Sequence, residues 1–384
     1  MKICICTTIA PTMETFVLDT VKYLYEKSGY DVTLICNEDE AFKKSLPEYI
    51  HFIPVHMKRG IDITGFKSVL DFIKIFKKEK FDLIQYATPN AACYASIAAR
   101  FCKAPIRLYC QWGIRYVGLK GISRQIFKFI EKMVCSNSTN IRAVSSLNMA
   151  FAVSEGLYPE TKALVVGNGG TIGVDMSKYD IHQKKTWRKA IRDTYDIQSN
   201  NFVFGFCGRI SIDKGCAELL TAFKQIESEE NNVNLLIVGP VEGDCGIDMN
   251  LISWARRSKN VIMTGMVDSG HMHEYYAAMD ILVHPTYREG FGMVIQEAGA
   301  LGIPVITTNV PGASEVMEDG ISSTHIEVKN VKMLAESMKD FAHHPDKVKR
   351  FGEAAYQRTR QMYDRSIMLE YQLKDYKKLL ERDR

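Results

Sequence analysis

Glu289 and Glu297, two carboxylates eight residues apart, bracket a glycine-bearing turn, Gly290-Phe291-Gly292. Ionised carboxylates are strong acceptors for hydroxyl protons, so such a pair can hold a sugar ring at one end and a ribose at the other. The residues before the turn, Ile281-Leu282-Val283-His284-Pro285, read as a short strand covered on both faces. Gly290 and Gly292 then supply a turn without Cβ obstruction. A helix is expected from about Phe291, with Glu297 about two turns along it. Its first amide groups and positive dipole end would face the crevice beyond the strand's carboxyl end, where parallel sheets bind ligands and a phosphate is stabilised. Taken alone, the two acids read as a surface loop residue and a solvated helix residue.

A second segment favours the chemical reading. Phe202-Val203-Phe204-Gly205-Phe206-Cys207 is another buried-strand pattern, followed by Gly208-Arg209-Ile210-Ser211-Ile212-Asp213-Lys214-Gly215. An amphipathic helix carrying Leu219, Leu220, Phe223 and Ile226 comes next. Arg209 and Lys214 therefore lie in a strand-to-helix loop, and two cations beside a helix N-terminus suit a diphosphate. Arg can bind it in a forked geometry, and Lys acts as a point charge.

Together these segments resemble retaining glycosyltransferase family four, of the two-domain GT-B architecture. The resemblance rests on Phe204 to Arg209 with Asp213-Lys214-Gly215, then Pro285-Thr286-Tyr287-Arg288-Glu289-Gly290-Phe291-Gly292 with Glu297-Ala298. Gly302-Ile303-Pro304-Val305-Ile306 and Pro311-Gly312-Ala313 follow in the family's order. It implies an α/β fold of two Rossmann-like domains whose parallel sheets face each other across a cleft. It also implies that Arg209 and Lys214 hold the donor diphosphate, that Glu289 meets the donor sugar and that Glu297 binds ribose hydroxyls. Gly208 and the backbone of Gly290, Phe291 and Gly292 would line sugar and phosphate.

Weaker similarity in the first half points to members that build bacterial capsule, exopolysaccharide and surface glycans on lipid carriers. It is carried by Phe81-Asp82-Leu83-Ile84 with Thr88-Pro89-Asn90, by Pro105 to Gly113, and by Gly167-Asn168-Gly169-Gly170 with Gly173-Val174-Asp175. The chain departs from that pattern at three places. Gln85-Tyr86-Ala87 stands where many members have His-x-His, Trp112 where relatives often have a basic or imidazole side chain, and the first loop, Thr7 to Met13, has no glycine.

The elements that must position these residues alternate between strand-like and helix-like runs, the pattern of parallel sheets. Expected strands are Lys2 to Thr8, Asp31 to Asn37, Asp82 to Tyr86, Ile106 to Cys110, Ile141 to Val144 and Ala163 to Val166 in the first half. The second half offers Phe202 to Cys207, Val233 to Val238, Val261 to Thr264, Ile281 to His284, Pro304 to Thr307 and Ser323 to Ile326. Asp175 to Asn200, polar and broken in pattern, reads as a linker. Residues 1–178 are thus expected to form an acceptor-binding domain and 179–363 a nucleotide-sugar-binding domain. Leu369, Leu373, Tyr376 and Leu380 make 364–384 a helix, which the resemblance packs back on the first domain. A chain of 384 residues, 46% hydrophobic and 24% charged, can bury two such cores. Its ten cysteines fall largely in apolar runs with no CxxC or Cys/His ligand spacing, so they read as reduced core residues with no metal site.

Net charge is only +4, yet from Lys103 to Arg142 eight basic residues face Glu131 alone. Arg124, Lys128 and Lys132 repeat every four residues beside Ile126, Phe127, Phe129, Ile130 and Met133. The segment 120–133 is therefore expected to form a helix with a basic stripe along an apolar face, suited to an anionic membrane surface. The alternative is a helix whose apolar face is core and whose lysines are solvated. Nucleic acid is not an expected partner, because the patch is local and no recognition motif accompanies it. No apolar run approaches the roughly 20 residues that span a bilayer. A cytoplasmic protein is expected, peripheral on the inner face of the membrane.

The function expected is transfer of a hexose or N-acetylhexosamine from a nucleotide-diphosphate sugar to an acceptor hydroxyl, such as that of a lipid-linked saccharide. Family habit favours a UDP-linked donor and implies retention at the anomeric carbon. Arg209, Lys214 and helix amides would meet the charge on the leaving diphosphate, so neither metal nor cofactor is called for. Two alternatives share the fold: a nucleotide-sugar 2-epimerase and a non-catalytic nucleotide-sugar-binding subunit. A nicotinamide-dependent dehydrogenase is disfavoured, since neither half opens with GxGxxG after its first strand.

Overall fold

The apolar runs become strands, and the helices between them force the strands parallel. The computed structural model describes residues 1–58, 60, 65–243 and 245–381. The chain forms two units, Met1–Ile172 with Ser366–Arg384, and Gly173–Arg365. All twelve expected strands form within two residues of the expected bounds. Among the described residues there is a thirteenth, Ile50–Pro54, at the edge of the first sheet. Its outer residues are half-buried or exposed and it ends in proline, so it lacks the apolar density of its neighbours.

In the first unit β1 (Lys2–Cys6), β2 (Asp31–Cys36), β3 (Ile50–Pro54), β4 (Leu83–Tyr86), β5 (Ile106–Gln111), β6 (Asn140–Ala143) and β7 (Ala163–Val165) form a parallel sheet in the order β3-β2-β1-β4-β5-β6-β7. The chain runs outward from β1 to β3 and then returns to the other side of β1, so its direction of winding switches between β1 and β4. The helix Arg365–Glu381 covers this sheet, with Leu373, Tyr376, Leu379 and Leu380 in the core beside Ile3, Ile5 and Leu108. Arg142 on β6 makes a buried forked ion pair with Asp375 of that helix, at 2.7 and 2.8 Å.

In the second unit β8 (Phe202–Cys207), β9 (Val233–Val238), β10 (Val261–Met263), β11 (Ile281–His284), β12 (Val305–Thr308) and β13 (Ser323–Ile326) are parallel in the order β10-β9-β8-β11-β12-β13. Winding switches between β8 and β11. Such a switch opens a crevice outside the carboxyl ends of the two strands, and both motifs singled out in the sequence leave the sheet there.

Two expectations change. The polar stretch read as a linker contains the helix Lys184–Thr194. Its inward face mixes Ile191 and Trp187 with arginine: Arg192, 4% exposed, donates to the carbonyls of Ala278 and Asn201 and to Asp280, and Arg188 binds Asp280 beside it. Charge satisfied by carbonyls interrupts the apolar stripe that periodicity looks for. The basic stripe on the helix Gly121–Asn137 is divided: Lys132 is exposed, whereas Arg124 and Lys128 are turned inward. Arg124 and Lys128 lie over the Tyr116 ring and pair with Glu155, while Ile122, Ile126 and Phe129 are exposed. Among the described residues no helix is long and apolar enough to cross a membrane. All ten cysteines are unpaired thiols, nine of them buried.

Candidate functional site at the switch point of the second sheet

The loop after β8 and the loop after β11 are stitched together by backbone. The Asp213 carbonyl accepts from Tyr287 N–H at 2.9 Å and from Thr286 Oγ1 at 3.3 Å. Asp213 also takes Arg288 at 2.9 Å and Ser211 Oγ at 2.6 Å through its carboxylate. These contacts outweigh burial and hold its carboxyl below the usual range. Gly215, N-cap of the helix Cys216–Glu229, sits at φ +70°, where a Cβ would come within 2.0 Å of the Pro285 carbonyl. The glycine is required there by conformation and by crowding, and it sets Lys214 against the second loop.

Lys214 Nζ donates to Glu289 Oε2 at 2.8 Å, and His284 Nε2, at the end of β11, lies 3.0 Å from the same oxygen. All three side chains are less than one-fifth exposed. Burial alone would raise the Glu289 pKa. The His284 hydrogen bond and the Lys214 charge outweigh it and hold the carboxyl down to about 2. Burial lowers the pKa of His284 in turn, opposed by Glu289, and its buried Nδ1 has no hydrogen-bond partner among the described residues. A neutral imidazole donating from Nε2 satisfies both facts.

The other site residues are distributed around this cluster. Arg209 is half-exposed and pairs with Glu242 in the loop after β9; its charge reaches Asp213, but its head does not join Lys214 and Glu289. Gly208, at φ +144°, lies backbone to backbone with Gly239, whose Cβ would fall 2.0 Å from the Gly208 carbonyl. The glycine turn departs from its expected form. Its helix, Met293–Ala300, begins two residues later than expected with Gly292 as N-cap, making Glu297 its fifth residue. Gly292 has φ −60°, an ordinary value, and gives its N–H to the Gly312 carbonyl at 2.9 Å. The close approach falls instead at Gly312, φ +78°, whose Cβ would meet the Gly290 carbonyl at 2.1 Å. Phe291 is buried with its ring against Tyr363, 5.6 Å between centroids, so only its backbone is left to line a ligand.

Glu297 forms a second cluster. Tyr276 donates to its Oε2 at 2.8 Å, and the Tyr179 ring lies beside that of Tyr276, 6.2 Å between centroids. Burial pushes this carboxyl up, against the pull of both phenols and of the charges on Lys178 and Arg365. Sequence reasoning missed three residues here. His284 was visible only as one polar residue closing an apolar strand, Tyr276 carried no motif, and Tyr179 lay in the supposed linker. Among the described residues no three His, Cys, Asp or Glu side chains gather as a metal site.

At the switch point of the first sheet, a threonine latch stands where a glycine-rich loop was missing. Thr8 Oγ1 and Thr88 Oγ1 are 2.7 Å apart, and Thr88 also accepts from Thr8 N–H. Thr88 holds φ +64°, a strained value for a β-branched residue. Gln85 accepts from the buried Tyr376 hydroxyl and Trp112 packs on Phe16 at 5.5 Å. With Thr171 and Gln372 they line a cavity of about 20 Å³, room for one water and not for a sugar.

The model of "Glycosyl transferases group 1" matches residues 188–358, and that of "Glycosyl transferase 4-like" matches residues 2–145. The chain is 34% identical over 314 residues to the capsular polysaccharide biosynthesis glycosyltransferase CapM of Staphylococcus aureus, covering 82% of this chain and 80% of that one. It is 24% identical over 322 residues to the UDP-Gal:alpha-D-GlcNAc-diphosphoundecaprenol alpha-1,3-galactosyltransferase of Escherichia coli, covering 82% and 81%. In fold it is similar to Anabaena HepE, crystallised with UDP and glucose, with a TM-score of 0.81 at 19% identity over 98% of this chain and all of that one.

Proposed function

The chain belongs to the glycosyl transferases of group 1, and from that premise we propose that it moves a hexose or N-acetylhexosamine from a UDP-linked donor to a hydroxyl of a lipid-linked saccharide, with retention. The observation that carries this reading is the Lys214–Glu289–His284 cluster at the β8/β11 switch point. A diphosphate placed there meets the Lys214 ammonium and, once Arg209 leaves the half-buried Glu242, a forked guanidinium as well. Glu289 stays ionised at every physiological pH and accepts hydrogen bonds from the donor sugar. Glu297 takes the ribose hydroxyls.

In the proposed step the bond between the anomeric carbon and the diphosphate oxygen breaks, and the acceptor oxygen forms the new bond from the same side. Its proton passes to the departing phosphate. The cations stabilise the charge on that oxygen, a contribution typically worth about 10²–10³ in rate for one well-placed group. Uridine is favoured because the Escherichia coli relative is named for UDP-Gal and HepE was crystallised with UDP. A lipid-linked acceptor is favoured because that same relative is named for a diphosphoundecaprenol substrate.

The exposed face of the helix Gly121–Asn137 supports the lipid side of this proposal. Ile122, Ile126 and Phe129 are 79, 53 and 71% exposed, with Arg115, Lys120 and Lys132 exposed around them. Glu131, the one acid of that helix, is turned inward to Tyr109 and Gln111. An apolar stripe with exposed basic residues on and next to the same helix fits an anionic lipid surface, inserting side chains that water disfavours.

Release of nucleoside diphosphate from UDP-, GDP- and ADP-sugars, in EDTA and with or without a membrane lipid extract, tests the proposal. Release from a UDP-sugar that requires the extract is expected. An epimerised nucleotide sugar formed without acceptor would establish the 2-epimerase alternative, and unchanged donor throughout would favour a binding subunit.

A further inference from the structure

His284 is the polar end of β11, behind Ile281, Leu282 and Val283, and at 2% exposure it is buried with them. Its ring lies against Phe206 of β8, 6.4 Å between centroids and 23° from parallel, and its carbonyl accepts from the Thr307 hydroxyl on β12 at 3.0 Å. Ring and backbone are both fixed. For packing alone an apolar side chain would serve better, because the buried Nδ1 finds no partner among the described residues. What the imidazole adds is the hydrogen bond from Nε2 to Glu289 Oε2 at 3.0 Å.

That oxygen takes two donors of different kinds. Lys214 Nζ, at 2.8 Å, stands on a flexible four-carbon stem and carries the charge that a diphosphate needs. His284 is anchored on a strand and too deep to meet a ligand itself. The other carboxylate oxygen, Oε1, accepts from the Gly290 N–H at 3.2 Å. We infer that His284 is a positioning residue for the transfer step: it keeps the Glu289 carboxylate in place once a diphosphate has drawn Lys214 away, so that the group meeting the donor sugar is set before the anomeric bond breaks. The inference rests on the proposed roles of Lys214 and Glu289 in holding the donor. The two donors to one oxygen thus serve two stages, the ammonium in the donor-free protein and the imidazole in the loaded one.

Electrostatics point the same way. The titratable groups facing Glu289 are His284 from β11 and Lys214 from the loop after β8. Burial pushes the Glu289 carboxyl up, and the hydrogen bond from His284 is the largest influence opposing it, ahead of the Lys214 charge. With the imidazole removed and the ammonium on the diphosphate, burial is left less opposed, so Glu289 takes up its proton at higher pH. Transfer needs the ionised form, and the acid limb of turnover therefore moves upward in pH when His284 is replaced.

The test measures UDP binding by calorimetry, and turnover as UDP release from UDP-glucose, UDP-galactose and their N-acetyl forms with a bacterial membrane lipid extract, across pH 5 to pH 9. The full chain is compared with His284→Leu, His284→Gln, Glu289→Gln and the double variant of His284→Leu with Glu289→Gln. His284→Leu should lower kcat about ten-fold, the worth of one hydrogen bond to a charged group, and leave UDP affinity in place. Its acid limb should lie at higher pH than that of the unmodified protein. His284→Gln, whose amide nitrogen reaches the position of Nε2, should restore most of the loss. Because His284 acts through Glu289, the double variant should turn over no more slowly than Glu289→Gln alone. An additive loss in the double variant, a fall in UDP affinity matching that in kcat, or equal losses in the leucine and glutamine variants would make His284 a packing residue and overturn the inference alone, as would near-native turnover in His284→Leu. Near-native turnover in Glu289→Gln, or no UDP release by the unmodified protein from any donor, would overturn the site reading and the inference with it. His284→Asn, which stays polar but places its amide at the level of Nδ1, carries the test if His284→Leu does not fold.

Discussion

Lys214 and Glu289 occupy each other in the donor-free protein, which makes binding and turnover respond in opposite directions when Glu289 is neutralised. Nζ and Oε2 are 2.8 Å apart, with the two side chains 19 and 17% exposed. At an effective dielectric of about 20, the attraction at that separation is about 6 kcal/mol before desolvation of both ions is set against it. An incoming diphosphate must take the ammonium from a partner that already holds it. Glu289→Gln keeps the shape and leaves a neutral amide oxygen. Hydrogen bonds to charged groups contribute a net ~1.5–3 kcal/mol, and giving up about 1 kcal/mol of that should tighten UDP roughly five-fold. The same change removes the acceptor proposed to face the donor sugar, so transfer should fall at least about ten-fold. Lys214→Ala should weaken UDP and cut transfer by about 10²–10³. UDP titration and UDP-release rates on both variants, with melting curves to establish folding, measure these quantities. If Glu289→Gln weakens UDP as Lys214→Ala does, the pair does not compete with the nucleotide. Near-native turnover in both folded variants would refute the site assignment itself.

Four further outcomes follow from the geometry. Gly215→Ala meets a left-handed backbone costing about 1–2 kcal/mol and a clash with the Pro285 carbonyl, so transfer should drop at least about ten-fold as Lys214 shifts; retained turnover would contradict the close-approach argument. Arg192→Met strips a buried charge from Asp280 and two carbonyls, and calorimetry should show the second unit destabilised by about 3–5 kcal/mol, against no change if the helix Lys184–Thr194 is an idle connector. Ile126→Glu with Phe129→Glu should abolish sedimentation with phosphatidylglycerol vesicles while leaving the melting curve in place; unchanged sedimentation would remove that face from the account. The Glu289 carboxyl is depressed from 4.5 to about 2, so its stabilisation is complete above about pH 4.5 and lost as pH falls toward 2; an acid unfolding curve identical in Glu289→Gln would contradict that sign.

The sheets were legible because parallel strands buried on both faces leave dense apolar runs, as in Val233 to Val238, and the loops were legible because glycines and charges follow those runs directly. What escaped reading was held by polar atoms. The helix Lys184–Thr194 docks through arginine and carbonyls, so its inward face looks like solvent-facing sequence. The helix Gly121–Asn137 departs from the usual rule: Arg124 and Lys128 place their charged heads over Tyr116 and pair with Glu155, while Ile122, Ile126 and Phe129 face outward and Phe127, Ile130 and Met133 pack on the core. Lys214 and Glu289 were each identified from their loops, yet their mutual contact depends on Gly215 against Pro285, a long-range approach that spacing does not encode. Tyr276 and His284 had no motif to announce them, since their importance comes from the carboxylates they touch.

The measurement that bears most directly on the central claim is the fate of the sugar itself. Purified protein is incubated with UDP-sugars labelled with carbon-13 in the hexose, together with a bacterial membrane lipid extract, and label is followed by mass spectrometry in the lipid and nucleotide fractions. The account predicts that label enters the lipid fraction in step with UDP release, and that Lys214→Ala abolishes both. Label that stays on the nucleotide, whether unchanged or epimerised, would contradict it.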